Sequence, residues 1–485
     1  MAITRRQFLQ RSGAVTAGAL LGPSLFDNLF VRRALASTIG DRYFVVIFLD
    51  GGNDGLNTVT PVTNGGGTLR NDYEAARQTG NGGLRLLPGA LAGTLVGNDP
   101  NTGAQLAIHP GFGDMIAPAS GGLKALYDLG KVAVFQGCGY PSYSLSHDQS
   151  RTIWRTANPL GLGTLSGTGW MGRYLAQNYA ALDIPGVTID DSVAAEFRQT
   201  ATSVLAIPRV RNFGFPVDDF APDDQMAKEA AFDALCTAAG MGPQPTDAYI
   251  GNSGHATLIS TQSYPGLHSL YVNDPSRKVF NDQYVGTNGL NTSTARNLLE
   301  IAKIINGVNQ GVPNVDARFF QLANGGYDTH SDQGAAATDG QQYSLHQEVG
   351  NALKVFHDDL ADMGMIDKVV VMVWSEFSRR INQNDNGTDH GSQGPMFVIG
   401  GAVNGGLYGN HPNIAAAALD DDGNTVYSQD ANPFRSTDFR DVYGTILKHW
   451  LNMPQATILS SVLPLDTGSA SDYWTVQNFD LSFLP

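Results

Sequence analysis

Three clusters of carboxylates and imidazoles follow apolar runs of strand length, and they constrain the fold of this chain more than any other feature. The runs are Tyr43–Leu49, Ala317–Leu322 and Val369–Trp374. Each is short and continuously apolar, which is typical of a strand buried on both faces. Parallel strands gather their carboxyl ends at one edge of a sheet, so the clusters are expected to converge there. Such groups at one edge are what a divalent-metal hydrolase needs.

Helical patterns alternate with these strands and indicate a mostly parallel α/β sheet with crossover connections. The 57 glycines indicate many tight turns and long loops. We predict one domain over residues 37–485, within which residues 160–300 form an insertion or cap. Two further strands are expected at Val132–Gln136 and Met396–Ile399. Helices are expected at His147–Thr156, Asp223–Ala239, Thr292–Ile305, Ser344–Met363 and Ser436–Leu451.

The N-terminus has the pattern of a twin-arginine export signal. Arg5 and Arg6 precede an apolar stretch over residues 13–21, and Ala34-Leu35-Ala36 resembles a cleavage site. The alternative is an ordinary amphipathic helix. We predict a signal over residues 1–36, recognised by the twin-arginine export machinery, and a periplasmic or extracellular mature protein. This route carries folded proteins, which fits a protein with a metal site.

The charge of the mature chain argues against nucleic acid as a partner. Without residues 1–36 it carries 25 basic and 44 acidic residues, a net charge of −19, and it is repelled by nucleic acid and anionic membranes. No later stretch is long and apolar enough to span a bilayer. Cys138 and Cys236 are the only cysteines. An exported location permits a disulfide between them, but the sequence does not decide whether they pair.

Two Asp/His pairs are candidate metal ligands. Asp328 and His330 are two residues apart, so in extended backbone both side chains point the same way. Asp389 and His390 are adjacent, and the glycine that follows allows a tight turn in which both could face one ion. The alternative for each pair is a solvated surface turn.

Three further carboxylates follow strand ends. Asp50 and Asp54 flank a glycine-rich turn that suits a divalent ion, and their alternative is a helix N-cap. Glu376 comes directly after the most apolar strand, where a carboxylate is costly unless it is paired or bound to metal. Its alternative is a salt bridge to Arg379 or Arg380.

Ser146 is a candidate nucleophile. It lies between a predicted strand and a predicted helix, where the positive end of the helix lowers the cost of an alkoxide. The alternative is that Ser146 caps the helix. His147 follows it as a further catalytic candidate, and Arg379 could attract an anionic substrate. No Gly-x-Ser-x-Gly motif is present, which disfavours an ordinary α/β-hydrolase triad.

The chain resembles the DUF1501 family of exported bacterial proteins. The segments that carry the resemblance are Phe48–Asn57, Ser146-His147, Gly325–His330, Ser375–Phe377 and Gly387–Gly391. The family in turn resembles the alkaline phosphatase/sulfatase superfamily, which implies a doubly wound α/β sheet with metal ligands on loops at its carboxyl edge. It also implies a strand-end aspartate, an Asp…His set, an Asp-His pair and a nucleophile. Here Asp50 or Asp54, Asp328 with His330, Asp389 with His390, and Ser146 are similar in position.

The residues and the resemblance together predict an exported metal-dependent hydrolase of phosphate or sulfate esters, with serine or water as nucleophile. Its substrate would be a small or polymer-borne ester. Zn²⁺, Mg²⁺ and Ca²⁺ are not distinguished by the sequence. The sulfatase maturation pattern is missing around Ser146, which weakens a formylglycine sulfatase. The alternative function is a non-catalytic exported binding or assembly protein that keeps the fold.

Overall fold

The computed structural model describes most of the chain beyond residue 40, and the predicted export signal lies outside the described residues. The described ranges are 41–80, 82–113, 119–158, 167–179, 184–199, 201–216, 224–334, 340–415, 418, 435–463 and 477–485. None of the helices within these ranges is long and apolar enough to cross a membrane.

The strands and helices are numbered in chain order. The strands are β1 Tyr43–Leu49, β2 Val59–Pro61, β3 Leu95–Asn98, β4 Gln105–Ile108, β5 Val132–Gly139, β6 Gly186–Thr188, β7 Val204–Ala206, β8 Phe319–Asn324, β9 Val369–Trp374, β10 Ser378–Arg379, β11 His390–Gly391, β12 Gly394–Gly400, β13 Gly406–Tyr408 and β14 Thr437–Asp438. The α-helices are α1 Gly55–Thr58, α2 Leu69–Ala76, α3 Pro88–Leu91, α4 Gly122–Asp128, α5 His147–Thr156, α6 Trp170–Asn178, α7 Gln225–Gly240, α8 Pro245–Asn273, α9 Pro275–Val285, α10 Ser293–Asn309, α11 Gln341–Asp362, α12 Phe439–Thr445 and α13 Gln455–Thr457.

A mostly parallel sheet forms the centre of the molecule, with strand order β13-β5-β12-β9-β1-β8-β6-β7 and β14 beside β5. Every neighbouring pair is parallel except those of β12, which runs antiparallel to β9 and to β5. The predicted α/β class is therefore confirmed. The strand expected at Met396–Ile399 is present, but it is the antiparallel member of the sheet.

The register of the three central strands makes them end at the same level. Phe48 of β1 lies opposite Trp374, the last residue of β9, and Leu49 lies opposite Asn324, the last residue of β8. The segments that follow at Asp50, Gly325 and Ser375 therefore leave the sheet side by side. This register brings together the loops that carry the polar clusters.

The side chains of β1 alternate between two apolar layers, as expected for a strand with both faces covered. Val45 and Ile47 pack in the layer that includes α10 and α11. Phe44 and Phe48 pack in the other layer, which includes Trp154 of α5 and the residues of α6 and α12. Helices thus cover both faces and leave the strand-end edge for the loops.

Helix α10 begins after Thr292, whose side chain caps it by accepting from the amide of Ala295. The helix predicted from Ser436 instead begins at Phe439. Asp438 is its N-cap and accepts from the amide of Arg440. The hydroxyl of Ser436 donates to backbone carbonyls of Gln136 and Asn410 instead.

The segment predicted as an insertion or cap, residues 160–300, contains two kinds of structure. Strands β6 and β7 extend the central sheet beyond β8. Helices α7 and α8 form a hairpin in which the Cβ of any larger residue at Gly254 would lie 2.1 Å from the Cys236 sulfur. Whether the helical part covers the site stays a prediction.

Cys138 and Cys236 are both free and buried, one on β5 and the other on α7. Burial raises the pKa of the Cys138 thiol well above its usual value. We therefore expect unreduced protein to release two titratable thiols per chain, and only after denaturation. A thiol count against a reduced sample checks this, and a count of zero without reductant would contradict it.

Candidate metal centre

Four segments meet at the carboxyl edge of the sheet. The loops after β1, β8 and β9 leave it side by side, and α5 begins at His147 next to them. The short ladder of β10 and β11 places His390 opposite Arg379. Gly52 has φ +84°, and a Cβ there would lie 2.3 Å from the ring of Phe377. Glycine is therefore needed to let this aromatic ring pack beneath the site.

Asp328, His147 and His390 form the centre of the cluster. Their candidate ligand atoms all lie within 4.8 Å of one another. The Nε2 atom of His390 is 3.3 Å from Asp328 Oδ1, and His147 Nε2 is 3.5 Å from Asp328 Oδ2. The Phe377 ring lies 4.8 Å from the His147 ring and 4.5 Å from the His390 ring, between centroids, and fixes both.

His330 adds a third imidazole at the solvent side. Its Nε2 is 2.9 Å from His390 Nε2 and 3.1 Å from Asp328 Oδ1. The two predicted pairs, Asp328 with His330 and Asp389 with His390, thus lie next to each other. The member that the sequence did not place among the metal ligands is His147.

The hydrogen bonds of the three imidazoles assign their tautomers. His147 Nδ1 is 2.8 Å from Glu376 Oε1, His390 Nδ1 is 2.7 Å from the carbonyl of Leu145, and His330 Nδ1 is 3.2 Å from Asp389 Oδ1. These acceptors hold the proton on Nδ1, so each neutral ring presents the Nε2 lone pair. All three lone pairs face the carboxylate of Asp328 or each other. A carboxylate or carbonyl behind each histidine is the arrangement that orients metal ligands.

The protonation of the cluster follows from the same contacts. The hydrogen bond to Glu376 raises the pKa of His147, whereas burial lowers the pKa of His390. Partial burial raises the pKa of Asp328, but the hydrogen bond and charge of Arg379 outweigh it, so the net pKa is below the usual value. Without an ion, the cluster thus holds an ionised carboxylate and a His147 that readily takes up a proton.

Glu376 is a positioning residue rather than a ligand at the centre. Its side chain is 0% exposed, and it accepts from the amides of Gly51 at 3.0 Å and Gly52 at 3.1 Å as well as from His147. Among the described residues, the Glu376 carboxylate does not face the centre of the cluster. Its described contacts also do not include the alternative salt bridge to Arg379 or Arg380. The carboxylate is instead stabilised by backbone donors and directs His147.

The Glu376→Gln variant is expected to lower the affinity for a divalent ion by about 10- to 100-fold. In this variant one carboxylate oxygen is replaced by an NH₂ group. That group is itself a donor and would face N–H groups that now donate to the carboxylate. Competition with a chromogenic chelator measures the affinity. The Asp389→Asn variant is the comparison, and a smaller loss is expected because His330 and Asp389 are both half exposed. Equal affinities for wild type and Glu376→Gln would contradict this role.

Arg379 was predicted to contact an anionic substrate, but in the structure it holds backbone carbonyls inside the protein. Its side chain is 0% exposed, and it donates to the carbonyls of Gly52 at 2.7 Å and Thr388 at 2.9 Å. Its Nη2 also donates to the carbonyls of Gly51 and Tyr327 and, at 2.7 Å, to Asp328 Oδ1. These bonds tie the three strand-end loops together, and the burial of the side chain keeps the guanidinium away from an anion in solvent.

Asp54 is likewise engaged away from the imidazoles. Arg77 donates to both of its carboxylate oxygens at 2.9 Å, and Gln333 Nε2 lies 2.6 Å from Oδ2. Asp54 is also the N-cap of α1 and accepts from the amide of Asn57. The contact with Asn57 agrees with the N-cap alternative, although the carboxylate is buried and paired with Arg77. The structure does not bring Asp54 to the centre.

Asp50 lies at the rim of the cluster. Its Oδ1 is 3.4 Å from Arg151 Nη1. Burial and the neighbouring charge of Glu376 raise the pKa of the Asp50 carboxyl. Arg151 was not singled out from the sequence, although it lies one helical turn after His147 in a helix that the sequence predicts, and that spacing was the available signal.

Ser146 is exposed at the N-cap position of α5. Its hydroxyl makes no capping hydrogen bond, so Ser146 does not cap the helix through its side chain. The amide of Ser146 instead donates to Ser144 Oγ at 3.2 Å. The hydroxyl is therefore accessible next to His147.

The sequence and the fold were compared with protein families, curated proteins and solved structures. No curated protein matches the sequence. Among solved structures, the chain is similar to the lipoteichoic acid synthase LtaP from Listeria monocytogenes, with 12% identity, a TM-score of 0.29, and coverage of 76% of this chain and 68% of that one. It is also similar to the PsFucS1 sulfatase from Pseudoalteromonas sp., with 10% identity, a TM-score of 0.28, and coverage of 87% and 73%. Residues 310–430, which include six of the predicted site residues, match the model of the DUF1501 family, described as proteins of unknown function.

Proposed function

We propose that this protein is an exported hydrolase of phosphate or sulfate esters, and that it works with a divalent ion held by Asp328, His147 and His390. The observation that carries the proposal is the common orientation of the three imidazoles. Each has Nδ1 directed at a fixed acceptor, and Nε2 lone pairs approach the oxygens of Asp328 within 3.1–3.5 Å. Lone pairs that face each other in this way are stabilised by a cation between them.

The donor set favours zinc among the ions that the sequence leaves open. Imidazole nitrogens suit Zn²⁺ and other late transition metals, whereas Mg²⁺ and Ca²⁺ prefer sites made only of oxygen. His330 is close enough to Asp328 and His390 to complete the donor set. A divalent ion in such a site supplies Lewis-acid polarisation of an ester oxygen and stabilises developing negative charge.

Ser146 is the proposed nucleophile, with water as the alternative. The Ser146 hydroxyl is exposed, is uncapped, and stands at the positive end of a helix of ten residues. His147, the next residue, is held in place by Glu376 and by the Phe377 ring. These contacts keep the first turn of α5 at a fixed position beside the cluster.

Export by the twin-arginine route is part of the proposal. It is supported by Arg5, Arg6 and the apolar stretch that follows them in the sequence. A protein that folds before it crosses the membrane can take up its ion in the cytoplasm.

The test is metal analysis of protein purified after native export, together with hydrolysis of chromogenic phosphate and sulfate monoesters. We expect bound zinc in about one-to-one ratio, ester hydrolysis, and loss of both after dialysis against a chelator. Ser146→Ala should abolish hydrolysis without loss of metal. Thr152→Ala is the matched control on α5, because it also removes an exposed hydroxyl, and that hydroxyl donates to the carbonyl of Asp148 within the same helix.

Three outcomes decide between the alternatives. Protein without a divalent ion, whose stability is unaffected by chelator, would contradict the proposal. Bound ion with no hydrolysis of either ester class would favour the non-catalytic binding or assembly protein. Hydrolysis by Ser146→Ala at the wild-type rate would assign the attack to water.

A further inference from the structure

Arg151 places a guanidinium at the candidate site, and its terminal nitrogens form no hydrogen bond with the described residues. It lies on α5 four residues after His147, and its Nε donates to the carbonyl of His147 at 3.2 Å. Long side chains on a helix point back toward the N-terminus, so the guanidinium lies over the first turn of α5. Its side chain is 28% exposed. It is therefore partly open to solvent beside His147.

The contacts of Arg151 differ in kind from those of Arg379. Its Nη1 is 3.4 Å from Asp50 Oδ1, and its Nη2 is 3.7 Å from Asp148 Oδ1. Neither contact has the geometry of a hydrogen bond, and within the described part of the chain neither terminal nitrogen forms one. Arg379, in contrast, is fully buried and donates to four carbonyls and to Asp328. Of these two arginines, only Arg151 can offer a free pair of donors to a ligand.

A second feature of the same helix favours an anion at this position. The amides at the start of an α-helix are unpaired unless a side chain caps them, and they attract negative charge. No side-chain cap is formed at Ser146. The guanidinium of Arg151 thus lies next to an uncapped first turn of α5.

We infer that Arg151 binds the tetrahedral oxyanion of the ester, with its two terminal nitrogens directed at two anion oxygens. The inference rests on the proposed function, because it assigns the part of the substrate that this site holds. A planar guanidinium suits phosphate and sulfate oxygens in a bidentate manner. In the free protein Asp50 and Asp148 lie beside the terminal nitrogens, and Glu376 Oε1 lies 4.0 Å from Nε. The oxyanion therefore displaces the two loose ion pairs of the terminal nitrogens and no hydrogen bond.

The experiment uses full-length, zinc-loaded protein and two probes, inorganic phosphate and inorganic sulfate. Their dissociation constants are measured by isothermal titration calorimetry, a readout that does not need turnover. Arg151→Gln is expected to weaken binding by about 10- to 100-fold, because two charge-assisted hydrogen bonds are lost. Arg151→Lys should restore part of the affinity, since it keeps the charge but not the bidentate geometry. Arg296→Gln, at an exposed position of α10, is the control.

The zinc content and the thermal unfolding midpoint of each variant are measured in parallel. Arg151→Gln should keep both at the wild-type values, so that weaker oxyanion binding cannot come from a lost ion or a lost fold. If Arg151→Gln binds phosphate and sulfate as tightly as wild type, the inference is wrong even when wild type hydrolyses esters. If wild type binds no ion and neither probe, the proposed function and this inference fail together.

Discussion

The Asp328→Asn variant is expected to lose divalent-ion affinity by about 100-fold or more and, with it, all ester hydrolysis. Asp328 is the residue around which the site is arranged, since its two oxygens face His330 and His390 on one side and His147 on the other. The amide of asparagine has no negative charge. Its NH₂ group would also replace one of the two oxygens that the imidazole Nε2 atoms now face. The loss should exceed the 10- to 100-fold that is typical of an outer-sphere residue.

Chelator competition with Zn²⁺ measures this loss. The matched control is Asp233→Asn on α7. Asp233 forms a similar exposed pair with His255, at 2.6 Å between Oδ1 and Nδ1, but that pair belongs to no metal-ligating cluster within the described ranges. The control should bind zinc as wild type does. An Asp328→Asn variant that keeps wild-type affinity would show that the ion, if bound, is held elsewhere.

The Arg379→Ala variant is expected to lower the free energy of unfolding by about 3 kcal/mol or more. The change leaves the carbonyls of Gly51, Gly52, Tyr327 and Thr388 without their buried donor. It also removes the positive charge that keeps Asp328 ionised. The effect is on stability because Arg379 ties the strand-end loops together from inside the protein.

Urea unfolding of the metal-free protein measures this difference without a contribution from bound ion. Arg296→Ala, an exposed substitution, is the control and should change stability by less than about 0.5 kcal/mol. If Arg379 instead served only to contact substrate, its removal would leave the unfolding midpoint unchanged. Wild-type stability with weaker substrate binding would therefore overturn the structural role.

The convergence of the clusters could be predicted because parallel strands end at the same edge of a sheet. Strands β1 and β9 span the same residues as the apolar runs in the sequence, 43–49 and 369–374. A continuous run of Val, Ile, Phe and Met has no amphipathic pattern, and this is typical of a strand in the middle of a parallel sheet. Once those strands are adjacent, the residues after them must meet.

The roles of the individual carboxylates could not be predicted from the sequence. Asp54, Asp328 and Glu376 all follow strand ends, yet one pairs with Arg77, one faces the imidazoles and one orients His147. Burial and hydrogen-bond partners separate these roles, and both depend on packing between segments far apart in the chain. The participation of His147 has the same origin, because Glu376 lies 229 residues away.

Helix α8 was missed for a related reason. Residues 245–273 contain Gly251, Gly254, Pro265 and Gly266, which weaken a helix in isolation. Packing against α7 explains two of these glycines, because a Cβ at Gly251 or Gly254 would lie within 2.7 Å of α7 atoms. Tertiary contacts thus override a low local propensity. The available signal was Pro245 at the first turn with Asp247 in a capping box.

The most direct test of the metal centre is a crystal structure of the natively exported protein, with anomalous diffraction data collected on both sides of the zinc absorption edge. We expect an anomalous peak about 2.0–2.2 Å from His147 Nε2, His390 Nε2 and an oxygen of Asp328. Glu376 and Asp389 should lie behind their histidines and should not touch the ion. An empty cluster, or a peak bound by Asp50 and Asp54 instead, would contradict it.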